Sequence, residues 1–211
     1  HFANIIRAAQ ANGIALPDSA TAAAESLFDY AMDIAEPSLS FPDWNDSDPP
    51  GSGTLTGWMQ LAAALFPGRG DLEYFATNRA GGTAPAESSF LLPWAGQALM
   101  RSGWDAQARY LAFEGGPLGT SHHHDDKLGL VLNAFGERLV IDSGRYAYDS
   151  SNFNAYSCSP NAHSVVHIGD YRQSRRLSAG VFRAESPYDI EWRSTAAFDY
   201  ATASFGERSG E

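Results

Sequence analysis

The hydrophobic pattern of this 211-residue chain changes period once, near residue 89, and that change limits the folds open to it. Up to that point apolar residues recur at helical spacing. Asp18-Ser19 can cap an Ala-rich segment running to about Ile34, with Leu27, Phe28, Ala31 and Met32 on one apolar face. A second helix is predicted over "TGWMQLAAALF", Thr56 to Phe66, closed by Pro67-Gly68. Between them "FPDWNDSDPPGSG", Phe41 to Gly53, reads as a long turn-rich loop. After "RAGGTAPAESS" the segments shorten and alternate: "QALMRSG", "RYLAFEG", "LGLVLNA", "RLVIDSG", "SVVHIGD" and "DIEWRS", punctuated by Gly, Asp and Asn. These predict an antiparallel β-sandwich beginning near residue 90. The expected class is α+β: residues 1–85 as the end of a larger helical layer, residues 86–211 as the β domain. The helices are too few to close a domain alone, and no closing element is visible after "SFGERSGE", so both ends read as cut. The chain begins with His1 rather than Met, as a processed chain or an excerpt would.

Charge narrows the partners. The net charge is −11 but is unevenly spread: residues 1–97 hold 3 basic and 11 acidic side chains, residues 98–176 hold 8 of each. An acidic chain is a poor non-specific nucleic-acid binder, and an anionic ligand belongs on the neutral middle. That middle also holds five of the six histidines. No apolar run is long enough to cross a membrane, and the lone Cys158 excludes an internal disulfide framework.

The stretch "GPLGTSHHHDDKLG", Gly116 to Gly129, carries the chemistry. "LGLVLNAFGERLVIDSG" after it predicts a hairpin turning at Phe135-Gly136, and pairing outward from that turn brings Asp142 level with about Gly129. His124 and Asp142 thereby come within reach of one another. Alternation would point His122, His124 and Asp126 to one side of an extended segment. A further histidine, His163, opens the next β pattern in "NAHSVVHIGD". Two imidazoles and a carboxylate make a zinc shell; a polar loop with His163 as a satisfied core histidine is the competing reading. The cupin motif G-x5-H-x-H fits Gly116, His122 and His124, but it next needs a Glu where Leu128 and Gly129 stand, so a cupin-like metal oxidoreductase is the weaker reading.

Taken in order, "GPLGTSHHHDDKLGLVLNAFGERLVIDSGRYAYD" and "NAYSCSPNAHSVVHIGD" resemble the heparinase II/III-like family of bacterial polysaccharide lyases. Its pattern is H-x-H-x-D-x-L, strand, turn, strand, D-x-G-x-Y, a tyrosine, then A-H-[NS]-[TS]-V. "ALMRSGWDAQARYLAFEGGPLG" and "FPDWNDSD" resemble the family's lead-in strands and the loop before its last helices. The resemblance implies the C-terminal helices of an α/α toroid packed on an antiparallel β-sandwich, with the active site in the cleft between. It implies β-elimination at a uronic acid of an acidic polysaccharide, and a periplasmic or secreted location. Position by position, His122 matches the β-domain catalytic histidine, His124, Asp142 and His163 match zinc ligands, and Tyr156 matches a tyrosine that can reach the cleft; Tyr148 is a weaker candidate. The ion is implied to be structural, and the toroid residues implied for the reaction lie upstream, so this stretch alone is expected to be inactive. "SCSPNAHS" departs from the family, which commonly shows Arg-Ser-Thr before the Ala-His.

Each candidate has an ordinary alternative. Tyr156 and Tyr148 can be strand-edge aromatics covering a core. Arg101 and Trp104, in "MRSGWD", can clamp and stack on a sugar acid, or be a surface ion pair and a core indole. Asn45 and Asp46 can simply cap turns, and His167 can be a surface residue. A uronyl C5-epimerase shares the proton abstraction, and a non-catalytic carbohydrate-binding sandwich would share only the surface.

Overall fold

A computed structural model describes residues 2–47, 54–117, 122–169, 173–178, 181–184 and 188–205. Residues fall into two compact units, 1–41 with 50–86, and 42–49 with 87–211. The second takes in the segment after the change of period and also Pro42–Pro49, which lies in sequence between the two predicted helices.

The first unit holds α1 (Phe2–Ala11), α2 (Asp18–Asp33), α3 (Thr54–Leu65) and α4 (Gly70–Ala76). α2 matches its predicted span. Its N-cap is Pro17, however, so Asp18 stands inside the first turn and favours the helix through the dipole instead. Phe28, Ala31 and Met32 are buried as expected, whereas Leu27 is exposed. On α3, Leu55, Met59 and Ala62 recur at helical spacing and are fully buried. Arg69 ties α2 to α4 through Glu25 (2.6 Å), Asp29 (2.8 Å) and Asp71 (2.6 Å). No described helix is long and apolar enough to cross a membrane.

The second unit is built on a five-stranded antiparallel sheet in sequence order: β1 (Phe90–Leu92), β2 (Gln97–Arg101), β3 (Tyr110–Glu114), β4 (Gly129–Ala134) and β5 (Glu137–Val140). Leu99, Tyr110, Ala112 and Val131 share its inner face and pack with Trp44, which arrives from the 42–49 segment. The β4–β5 turn is Phe135-Gly136, both with positive φ, the conformation whose twist matches a hairpin. A bulge between Leu132 and Asn133 slips the register by one, so Asp142 extends toward Leu130 rather than Gly129. Two hairpins follow, β6 (Ser174–Ser178) with β7 (Val181–Ala184), and β8 (Tyr188–Ser194) with β9 (Asp199–Ser204). Between β5 and β6 the chain forms α5 (Asn152–Ser157) and a 3₁₀ turn (Pro160–Ala162). Tyr156 therefore sits on a helix, not a strand edge, and residues 164–169 form no strand. Ser151 makes α5 possible by accepting from the Asn154 N–H.

Candidate active site

Three segments converge on the histidine stretch: residues 43–47, the run after β5, and the end of the 3₁₀ turn. Asp46 is the centre. Its Oδ2 lies 2.7 Å from His122 Nδ1 and its Oδ1 2.9 Å from His124 Nε2. A carboxylate only accepts, so both facing nitrogens carry hydrogen. That leaves His122 Nε2 and His124 Nδ1 with their lone pairs. The backbone fixes the pairing: the Asp46 N–H donates to the His122 carbonyl (3.3 Å), and the His124 N–H donates to Asn45 Oδ1 (3.4 Å). His122 has φ +57°, a conformation a side chain adopts only when its surroundings impose it. The turn breaks the alternation expected of an extended segment. The His122 side chain is 64% exposed while that of His124 is 1% exposed.

Tyr148 completes this cluster. Its hydroxyl is 3.0 Å from His122 Nδ1 and bonds to Asp46, and the Arg145 guanidinium lies 4.4 Å over its ring. Burial pushes the Asp46 carboxyl up, but bonds from His122, His124 and Tyr148 outweigh it and hold the group below its usual value. The arrangement is an exposed imidazole held at Nδ1 by an ionised carboxylate. An imidazole so held has the chemistry of a proton-transfer group.

Behind it lies a second pair. His163 Nδ1 is 2.9 Å from each oxygen of Asp142, and the Gly144 N–H donates to Asp142 Oδ1 (3.2 Å). Pro160 starts the 3₁₀ turn whose C-cap is His163, with extended φ and ψ. Burial lowers the His163 pKa, yet the Asp142 bond and charge outweigh it and raise the group. The His124 and His163 rings are 5.1 Å apart, and His124 Nδ1 and His163 Nε2 are buried without a hydrogen-bond partner. Two orphaned imidazole nitrogens, each ring held from behind by a carboxylate, fit zinc donors. Asp142 stands behind His163 rather than beside it, and among the described residues no three His, Cys, Asp or Glu side chains gather into one shell. The donor types fit a zinc ion; the described arrangement is one of pairs.

The other candidates lie elsewhere. Tyr156 is exposed and donates to the Asn161 carbonyl (3.0 Å), so Tyr148 is the tyrosine brought to His122. Arg101 and Trp104 are buried, correcting the reading of a sugar clamp. The Arg101 guanidinium lies 4.4 Å over the Trp104 ring and 4.7 Å over Tyr110, and the Trp104 indole donates to the Glu87 carbonyl (3.0 Å). Neither presents a face to a ligand. His167 is exposed. Asp46 is the residue sequence reading passed over, its place in a turn-rich loop giving only a capping signal.

Known proteins share this architecture. The curated heparin-sulfate lyase of Pedobacter heparinus is 28% identical over 132 residues, 63% of this chain and 20% of its own length. Among solved structures, the heparan sulfate lyase of Pedobacter heparinus superposes with a TM-score of 0.85 at 21% identity, covering 97% of this chain and 32% of that one. A heparinase III structure gives a TM-score of 0.77 at 19% identity over 92% of this chain and 32% of its own. At such identities the structural likeness speaks for the fold, and the chain spans a third or less of each relative. The family described as "Heparinase II/III-like, C-terminal" matches residues 84–204, more than half of the chain. The chain belongs to the heparinase II/III-like family.

Proposed function

We propose that the protein carrying this chain is a polysaccharide lyase that cleaves a uronic-acid-containing acidic polysaccharide by β-elimination, with His122 as a proton-transfer group. The observation that carries the reading is the Asp46–His122 pair, an imidazole 64% exposed and held at Nδ1 by Asp46 and beside the Tyr148 hydroxyl. In the elimination a base removes the C5 proton next to the carboxylate, the electron pair forms the C4=C5 double bond, and the C4–O bond breaks. The departing oxygen then takes a proton from an acid. The exposed His122 side chain is open to either transfer, and Asp46 stabilises the imidazolium formed when it accepts one. Tyr148 keeps its proton, since burial and the Asp46 carboxylate raise its phenol, and so stands as a hydrogen-bond donor.

The names of the relatives make heparin- and heparan-sulfate-type polymers the first substrates to assay. A polymer of that size is met outside the cytoplasm, which carries a periplasmic or secreted location with it. We further propose a zinc ion on the buried face, held by His124 Nδ1 and His163 Nε2, with Asp142 fixing the His163 ring from behind. When bound it would supply a structural cross-link between the histidine segment and the 3₁₀ turn, and no proton transfer is assigned to it.

The test is direct. The intact protein, incubated with heparan sulfate, heparin or alginate, is expected to release unsaturated uronate that absorbs in the ultraviolet, and His122→Ala to abolish the signal. Inversion at C5 without new absorbance would replace the reading with an epimerase. Sugar binding without turnover would replace it with a carbohydrate-binding module.

A further inference from the structure

Away from the histidines lies a buried charged cluster that the elimination does not use. Glu114 ends β3 on the inner face, between Gln97 of β2 and Gly129 of β4 in the register. Its Oε2 accepts from Gln97 Nε2 (2.8 Å). Its Oε1 accepts from the Gly116 N–H (2.9 Å) and lies 3.5 Å from Lys127 Nζ. Its backbone carbonyl accepts from the Leu128 N–H (2.8 Å). Lys127 is equally interior, with a side chain 2% exposed, and also faces Asp126 Oδ1 at 3.3 Å. The Gln173 amide grips the Lys127 peptide at both ends: Lys127 N–H to Oε1 at 2.6 Å, and Nε2 to the Lys127 carbonyl at 3.0 Å.

One residue thus holds both the departure and the return of the segment that carries His122 and His124. At the departure the fit has no slack, because a Cβ on Gly116 would fall on the Ala95 carbonyl oxygen and lie 2.6 Å from Glu114 Oε1. At the return, Leu128 takes φ +61°. A buried ion pair adds little net stability compared with apolar residues of the same volume, since desolvation offsets the attraction. Its effect is geometric. It ties Gly116 and Lys127 to the end of β3, and Lys127 follows His124 by three residues.

We propose that Glu114, closed by Lys127, is a positioning residue that sets the geometry of the histidine segment. Its activity arm rests on the lyase reading above; its structural arm does not. The experiment is hydrogen exchange on the intact protein, comparing peptide 122–129 with peptide 54–65, for the wild type, Glu114→Ala and the double variant Glu114→Gln with Lys127→Met. The double variant keeps an acceptor for the Gly116 N–H and removes the cation left unpaired. Expected is a tenfold or greater rise in exchange of 122–129 in Glu114→Ala, with 54–65 within twofold of wild type. The double variant should return exchange to within threefold. If the protein is a lyase, kcat should fall at least tenfold in Glu114→Ala while KM stays within threefold, and the double variant should recover most of it. Unchanged exchange at 122–129, or an equal rise in both peptides, overturns the proposal. Should Glu114→Ala fail to fold, Lys127→Met is read by the same two peptides. An inactive wild type with selectively loosened 122–129 in the variant would leave the clasp standing and remove the lyase reading.

Discussion

Replacing Asp46 by Asn removes one negative charge from between two imidazoles and keeps the side-chain volume. The two bonds it weakens are unequal. His122 is mostly exposed, so water replaces its partner and the lost bond costs about 0.5 kcal/mol of stability. His124 is buried, and losing a charge-assisted bond there costs about 1.5–3 kcal/mol. A net loss of about 2–3.5 kcal/mol follows, readable as a lowered urea midpoint with an unchanged slope. The effect on turnover should be larger. An Asn amide can present NH₂ to His122 Nδ1, which would favour the tautomer with hydrogen on Nε2 and disable that nitrogen as a proton acceptor. A wrongly held tautomer and a lost countercharge together cost about 10²–10⁴ in kcat. Ultraviolet detection of unsaturated product gives the rate, and denaturation of the same samples gives the stability. Turnover within twofold of wild type in a folded Asp46→Asn protein would refute the role assigned to the Asp46–His122 pair.

Gly116→Ala should destabilise by about 3 kcal/mol, because the added methyl meets backbone rather than a movable side chain; a change below about 1 kcal/mol in chemical denaturation would count against the close approach to Ala95. Arg69→Met strips three carboxylates of their cation and should cost about 1–2 kcal/mol at low salt, with the difference shrinking in 1 M salt because the groups are part-exposed. Arg69, against the opposing effect of burial, holds the Asp71 carboxyl below its usual range. A depressed acid contributes stability above its unfolded pKa and loses it as pH falls through the folded value, so the Arg69→Met difference should fade below about pH 4. His124→Ala should abolish bound zinc measured by mass spectrometry and lower Tm and activity together; lost activity with metal and Tm unchanged would separate the residue from the ion.

The hairpin and two helices were legible because their signals are local. Phe135-Gly136 has turn chemistry between alternating strands, and α2 and α3 carry apolar residues at helical spacing. α5 was not, since "NFNAYS" has no helical preference of its own and depends on the Ser151 cap. Within the site, sequence reading brought His122, His124, Asp142 and His163 into one neighbourhood through hairpin geometry and the family resemblance. It missed Asp46, 76 residues before His122, because an aspartate in a turn reads the same whether it caps a backbone or holds an imidazole. Arg101 and Trp104 misled for a related reason. A cation near aromatics has one appearance in sequence, and burial alone decides whether it stacks on a ligand or on its own core.

The course of residues 42–49 has a consequence for how the chain can be divided. This short stretch lies between α2 and α3 in sequence, yet it groups with the β unit. Trp44 enters the core with Leu99 and Tyr110, Asp43 pairs with Arg138 at 2.9 Å, and Asp46 holds both histidines. A fragment cut at the change of period, residues 86–211, would keep every strand and every histidine of the site and lose all three contacts. Removing a buried indole costs about 3–5 kcal/mol, and the Asp46 bonds add about 2–3.5 more. That is comparable with the whole stability of a small domain, so the fragment should lack native near-ultraviolet dichroism and resist protease poorly. Supplying residues 42–49 by a flexible linker to the fragment's N-terminus should restore both, since the linker raises their local concentration without new contacts. A stable, protease-resistant 86–211 fragment without that addition would mean that the segment docks on a β domain already complete, and that Asp46 is added to the site only after the sheet has formed.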